Sequence, residues 1–257
     1  MDIELQATIR ANIETIRKKA KEAALKAGRD PKEIHLIAVT KTYGIDYVRE
    51  AVAAGISLIG ENKVQEAKEK YTELEQSGNV PDFQLHLIGH LQTNKARQAV
   101  DLFDMIHSVD SFRLAKEIDR RAYTVDKTMP ILIQVNTSRE ATKYGVEPDN
   151  TLELIKQVSE LKNIRIQGLM TIGALTAVQA NDPEKIRSYF RRLRELRDFI
   201  REQNIPNVEM NALSMGMSSD FEIAIEEGAN YIRIGTALFG KRKRAAKPAA
   251  PKSEETL

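Results

Sequence analysis

The chain of 257 residues has no cysteine. That absence excludes disulfides, zinc–thiolate sites and thiol nucleophiles together. There is no uninterrupted apolar stretch long enough to span a bilayer, so no membrane partner is expected. The opening MDIELQATIR carries acidic residues early and lacks an apolar core, which predicts no secretory signal and a cytoplasmic protein. HExxH, P-loop and GxSxG patterns are missing as well. His86 and His90 have no carboxylate partner in their segment, so no metal site is predicted. An excess of one charge is also missing from the body of the chain. Residues 241–257 hold six basic and two acidic residues, leaving 33 basic against 35 acidic before them. A near-balanced body offers no electrostatic footprint for nucleic acid. The short Ala/Pro/Lys tail reads as a solvated, disordered end.

What the chain does have is alternation. Short apolar runs at 35–40, 57–61, 83–89, 104–109, 130–136, 165–170, 208–213 and 231–235 read as eight strands. Amphipathic segments at 46–54, 64–76, 111–122, 150–161, 183–203 and 219–227 separate them, with a shorter helix within 92–100. A long amphipathic helix over about residues 3 to 27 comes first and ends near Gly28. Alternating strands and helices imply parallel pairing through right-handed crossovers. Eight such units close into an α/β (β/α)8 TIM barrel. A doubly wound nucleotide-binding sheet would carry a Gly-rich turn after its first strand, whereas that position here reads TKTYGI. Residues 1–240 are therefore expected to form one barrel with an extra N-terminal helix, and 241–257 a basic tail.

In such a barrel the C-terminal strand ends build the active site. Here they bear Lys41, Asn62, His90, Ser108 with Asp110, Asn136, Met170 with Thr171, Ser214, and Arg233 with Gly235. Side chains alternate faces along a strand, so Lys41 shares its face with Val39 and Ile37. If that face points inward, the amine sits at the barrel mouth, where partial burial favours its neutral, nucleophilic form. A strand-end lysine taken alone is more often a snorkelling surface residue. Near the other end of the chain, LSMGMSSDFEIAIEEG puts Ser214, Gly216, Ser218 and Ser219 between the seventh strand and a helix. Ser219 with Glu222 fits a capping box that would start this helix. Free N–H groups there suit a phosphate, as do the small residues Gly235 and Thr236 after the eighth strand. Arg233 shares a face with Gly235 and needs an acceptor, either a core carboxylate or a ligand atom. A ligand with a phosphate at one end, an aldehyde at the other and a ring nitrogen between would span all these groups. Pyridoxal 5′-phosphate is such a ligand, with Lys41 holding its aldehyde as a Schiff base. An arginine that keeps its proton would leave the ring nitrogen unprotonated and the ring a poorer electron sink.

HLIAVTKTYG, GENKVQEAKEK, HLIGHLQTNK, LMTIG, LSMGMSSDFEIAI and RIGTALFG, in that order over residues 35 to 240, resemble the pyridoxal phosphate homeostasis protein family. The resemblance implies a barrel of the alanine racemase N-terminal type with the cofactor on Lys41. It implies phosphate contacts from Ser214, Gly235 and Thr236, with Ser218 in the same cofactor-binding loop, and Arg233 at the pyridine nitrogen. Asn62 and His90 would lie near the cofactor. It further implies a protein that buffers the cofactor in vitamin B6 and amino-acid homeostasis, with transient contact to apo-enzymes and no robust turnover, so no catalytic residue is assigned. The alternative is an amino-acid racemase. Two-sided proton transfer needs a second acid/base opposite Lys41, which alanine racemases take from a C-terminal β-domain across a dimer interface. No such domain is expected after residue 240, Tyr43 is expected to pack at the rim, and the expected state is a monomer. Within YFRRLRELRDFIREQ, Tyr189, Phe190, Leu193, Leu196 and Ile200 form a packing stripe, and the arginines are expected to be its solvated face.

Overall fold

The computed structural model describes residues 3–78, 80–138, 140, 143–173 and 178–240; the tail expected over 241–257 lies outside the described residues. Eight parallel strands pair in chain order and close on themselves: β1 (His35–Val39), β2 (Leu58–Glu61), β3 (Gln84–Leu87), β4 (Met105–Val109), β5 (Met129–Gln134), β6 (Ile164–Met170), β7 (Val208–Met217) and β8 (Tyr231–Ile234). Outside them lie α1 (Ile3–Lys26), α2 (Ile45–Ala53), α3 (Val64–Gln76), α4 (Ala96–Leu102), α5 (Phe112–Thr124), α6 (Thr151–Ser159), α7 (Pro183–Glu202), α8 (Phe221–Glu226) and α9 (Thr236–Phe239). This is the expected (β/α)8 barrel with an extra N-terminal helix. No helix among the described residues is long and apolar enough to cross a membrane.

Local pattern explains how the elements dock. α1 buries Ile9, Ile13, Ile16, Ala20, Ala23 and Ala24, a helical stripe that packs on α8 and α9. Asn12 donates to the Leu238 carbonyl at 2.9 Å, and Arg29 to the Ile225 and Ala229 carbonyls at 2.9 and 2.8 Å. α7 buries Phe190, Leu193 and Ile200 of its expected stripe together with Ile186, while Tyr189 and Leu196 pack half-buried against the core. Arg191, Arg192 and Arg201 are exposed, in keeping with the expected solvated face, but three arginines of this helix also reach a buried partner. Arg187, Arg191 and Arg194 converge on the buried Glu227 carboxylate at 3.2, 3.2 and 2.7 Å. Burying one carboxylate is tolerated because several guanidiniums surround it.

Inside the barrel, Ile37, Val39, Leu58 and Ile88 form one apolar cluster, and Met105, Leu132, Met170 and Ala212 another, with Tyr231 packed against both. The face that Lys41 shares therefore does point inward. β7 is the element that departs most from expectation. It runs four residues past 213, and its pairing with β8 shifts register between Ser214 and Met217. Ser214 thus lies inside the strand, not at its tip. The longer strand leaves only residues 218–220 for the turn, so α8 begins at Phe221 with Asp220 as N-cap. The capping box expected from Ser219 does not form, and the Asp220 carboxylate accepts the Met217 N–H at 2.6 Å instead.

Candidate functional site

The barrel mouth opens into a cleft of about 610 Å³. Lys41, Asn62, His90, Ser218, Arg233, Gly235 and Thr236 all line it, so seven of the eight expected residues come together. The eighth, Ser214, is fully buried and does not line the cleft. A second cavity of about 310 Å³ sits between α1 and the starts of β1 and β2 and holds none of the strand-end groups.

Each wall has a local cause. Lys41 follows β1 in a turn closed by the Tyr43 N–H on the Thr40 carbonyl at 3.0 Å. Tyr43 packs as expected, its ring 4.9 and 5.0 Å from those of Tyr47 and Phe239 and its hydroxyl donating to the Gly240 carbonyl at 2.9 Å. Gly89 lets the end of β3 approach the chain after β2, because a Cβ there would stand 2.2 Å from the Asn62 carbonyl oxygen. That approach brings Asn62 and His90 to the same cleft. The His90 ring stacks on Tyr144 with centroids 3.6 Å apart, and its Nδ1 lies 3.9 Å from the Asp110 carboxylate. Burial pushes the Asp110 carboxyl up, against the pull of His90.

On the β7–β8 side, Ser218 Oγ accepts the backbone N–H groups of Gly235 and Ala237 at 3.3 and 3.2 Å. Two main-chain donors thus converge on one oxygen, an arrangement suited to a phosphate oxygen. Arg233 donates through one terminal nitrogen to Ser214 Oγ at 2.7 Å and through the other to the Thr171 carbonyl at 2.8 Å. Burial pulls its pKa down to about 10, with Asp220 opposing, so it stays charged at neutral pH.

Beneath Arg233 lies a hydrogen-bonded chain that strand-end reading did not find. Ser214 Oγ is 3.0 Å from His107 Nδ1, His107 Nε2 is 3.1 Å from His86 Nδ1, and His86 Nε2 is 3.4 Å from Gln84 Oε1. Arginine only donates, which leaves the Ser214 proton for His107 Nδ1. Each imidazole then carries its proton on Nε2 and donates it to the next group down the chain. Burial holds His107 well below its usual range, and the electrostatic influence of neighbouring His86 and Arg233 acts in the same direction. His86 is pulled down to about 4 by burial and then by His35. Both rings are therefore neutral at pH 7, the form this one-directional chain requires.

Tyr144 and Ile172 also line the cleft and were not anticipated, since they return to it from loops with no strand-end signal. Lys63 lines it too, offering a second amine. Among the described residues no three His, Asp or Glu side chains gather as a metal site requires.

A family model described as "Alanine racemase, N-terminal domain" matches residues 3–243. The pyridoxal phosphate homeostasis protein of Aquifex aeolicus is 44% identical over 222 residues, covering 86% of this chain and 93% of its own length. Its namesake in Escherichia coli K12 is 36% identical over 236 residues, covering 92% and 97%. Among solved structures, PipY of Synechococcus elongatus with PLP bound matches at a TM-score of 0.77 and 37% identity, covering 90% of this chain and all of its own. An alanine racemase of Clostridium difficile matches at 0.69 with 15% identity, covering 92% of this chain and 57% of its own, a likeness of fold alone.

Proposed function

The chain belongs to the alanine racemase N-terminal domain family, and within it to the pyridoxal phosphate homeostasis proteins, and on that premise we propose how its cleft holds the cofactor. It binds pyridoxal 5′-phosphate and acts in the homeostasis of that cofactor. When bound, the group supplies an aldehyde and an electron-withdrawing ring. The chain's residues do the rest. Lys41 presents the amine that takes the aldehyde. Ser218, Gly235 and Thr236 take the phosphate, and Arg233 offers a fixed cation to the ring nitrogen. Asn62 and His90 wall the cleft. Ser214 leaves the phosphate set, because its hydroxyl is engaged beneath Arg233. One observation carries this reading: a single cleft holds an amine, a buried guanidinium and a serine on which two backbone donors converge.

The finer reading is a monomeric cytoplasmic carrier that meets apo-enzymes transiently and has little turnover of its own. It is supported by Tyr43, whose hydroxyl is engaged by the Gly240 carbonyl and unavailable to a substrate. Tyr144 favours the racemase alternative, since it lines the cleft and stacks on His90.

The phosphate assignment is tested by comparing pyridoxal phosphate with pyridoxal. Hydrogen bonds to a charged group are worth about 1.5–3 kcal/mol, so a Ser218→Ala/Thr236→Val protein is expected to bind the phosphorylated form roughly 10–100-fold more weakly. Its affinity for pyridoxal should be unchanged. Equal retention of pyridoxal phosphate by wild type and variant would show the phosphate lies elsewhere. Loaded protein incubated with L-alanine and other L-amino acids is expected to leave their configuration intact by chiral chromatography. Substantial inversion that disappears in Tyr144→Phe would establish the racemase instead.

A further inference from the structure

We propose that Glu61, Glu66 and Lys70 form a positioning clamp for Lys41, fixing the turn that carries the amine although none of the three lines the cleft. The inference rests on the reading above that Lys41 is the attachment point.

The turn needs holding. Thr42 has φ of 66°, in the left-handed region, at the third position of the turn closed by Tyr43 on Thr40. That position favours glycine or asparagine, and a β-branched residue is strained there. The strain falls on the residue directly after Lys41, where a free turn would relax and carry the amine away.

Polar groups from β2 and α3 grip the chain on both sides of Lys41. The Thr42 N–H donates to Glu66 Oε1. Lys70 Nζ donates to the Thr40 carbonyl at 2.8 Å, and Thr40 Oγ1 donates to Glu61 Oε1 at 2.6 Å. Lys70 and Glu61 are themselves paired at 2.5 Å. Strand parity explains the geometry. Thr40 and Glu61 take the faces opposite to Val39 and Gly60, so they meet α3 while Lys41 meets the cleft. Glu66 and Lys70 are four residues apart and share one face of α3.

Docking of α3 does not require these charges. Val64, Ala67, Tyr71 and Leu74 already supply an apolar stripe. Glu61 is fully buried and Lys70 nearly so, and a buried ion pair is seldom a net gain over apolar packing. What the charges add is direction, because these hydrogen bonds end on Thr40, Thr42 or one another. An amine on a flexible four-carbon stem attaches efficiently only when its backbone is held in place.

The test separates covalent attachment from total binding. Glu66→Ala is expected to keep most of its bound cofactor, while the fraction that borohydride fixes on Lys41 at a set short time falls roughly tenfold. The pH titration of the bound chromophore should shift with it. Glu66→Gln keeps an acceptor for the Thr42 N–H and is expected to restore the wild-type fraction. Lys70→Met should lower the fraction in the same direction. In a Thr42→Gly background, where the turn is unstrained, Glu66→Ala is expected to lose much less. A wild-type fixable fraction in both Glu66→Ala and Lys70→Met overturns the clamp while leaving Lys41 as the attachment point. An equal loss from Glu66→Ala in the wild-type and Thr42→Gly backgrounds overturns the strain argument. A wild-type protein without label on Lys41 overturns both this inference and the reading it rests on.

Discussion

A Lys41→Ala protein is expected to carry no pyridoxyl label after borohydride reduction and to hold the cofactor roughly 10–100-fold more weakly, the size expected for losing one interaction with a charged group. Reduction, proteolysis and peptide mapping give the first result, and equilibrium dialysis the second. The residual binding is expected from the proposed phosphate side of the cleft and from Arg233, which line the same cleft and which the substitution does not touch. Lys41→Arg should also be unlabelled, because a guanidinium keeps its charge and does not act as an amine nucleophile. Lys41 is only partly buried at the mouth, so thermal stability should change by no more than about 0.5 kcal/mol. Lys63 is the internal control. It lines the same cleft, and Lys63→Ala should keep wild-type labelling of Lys41. Undiminished label on Lys63 in the Lys41→Ala protein would assign the attachment to the wrong lysine.

Acid should destabilise the barrel through its interior histidines. His86 is held at about 4 in the folded protein, against about 6.5 in an unfolded chain. Between those values the unfolded chain binds a proton that the native state refuses, so stability is lost as pH falls from about 6.5 towards 4. For His86 the loss from pH 7 to pH 4.5 comes to about 2.5 kcal/mol. His107, also depressed and 3.1 Å away, adds a loss of the same sign. Glu61, Asp110 and Asp220, whose carboxyls burial pushes up, act in the opposite direction over part of the range. The histidine contribution is therefore read as a difference. Urea unfolding of wild type and of His86→Gln, which keeps a donor and an acceptor, at pH 7 and 4.5 should show a smaller acid loss in the variant. Identical slopes in wild type, His86→Gln and a His86→Gln/His107→Gln protein would mean that the rings do not carry the effect.

Much of the architecture was legible before any coordinates. Alternation of faces is a property of the backbone within one strand, so HLIAV and the lysine two residues on already put the amine on the face of Val39 and Ile37, and barrel closure turned that face inward. Seven of eight expected site residues meet because parallel closure brings every strand end to one mouth. Ser214 does not line the cleft, for the converse reason. Its place depends on where β7 stops, and β7 stops where pairing with β6 and β8 ends, through register shifts that no local pattern encodes. The same holds for the arginines of α7. Their spacing suggested a solvated face, which Arg191 and Arg192 keep, and only the fold brings the Glu227 carboxylate to Arg187, Arg191 and Arg194.

The sequence by itself determined the eight-unit barrel, the face that Lys41 shares with Val39 and Ile37, and the kind of cofactor that its strand ends suit, since each follows from periodicity and side-chain chemistry along short stretches. Tertiary structure alone decided what stands behind those groups. Gln84, His86, His107, Ser214 and Arg233 come from four different strands, and Thr40, Glu61, Glu66 and Lys70 from the ends of two strands and a helix. Their bonds exist only once the barrel has closed, because hydrogen bonds and buried ion pairs depend on ångström-scale distances between segments that the chain order does not specify.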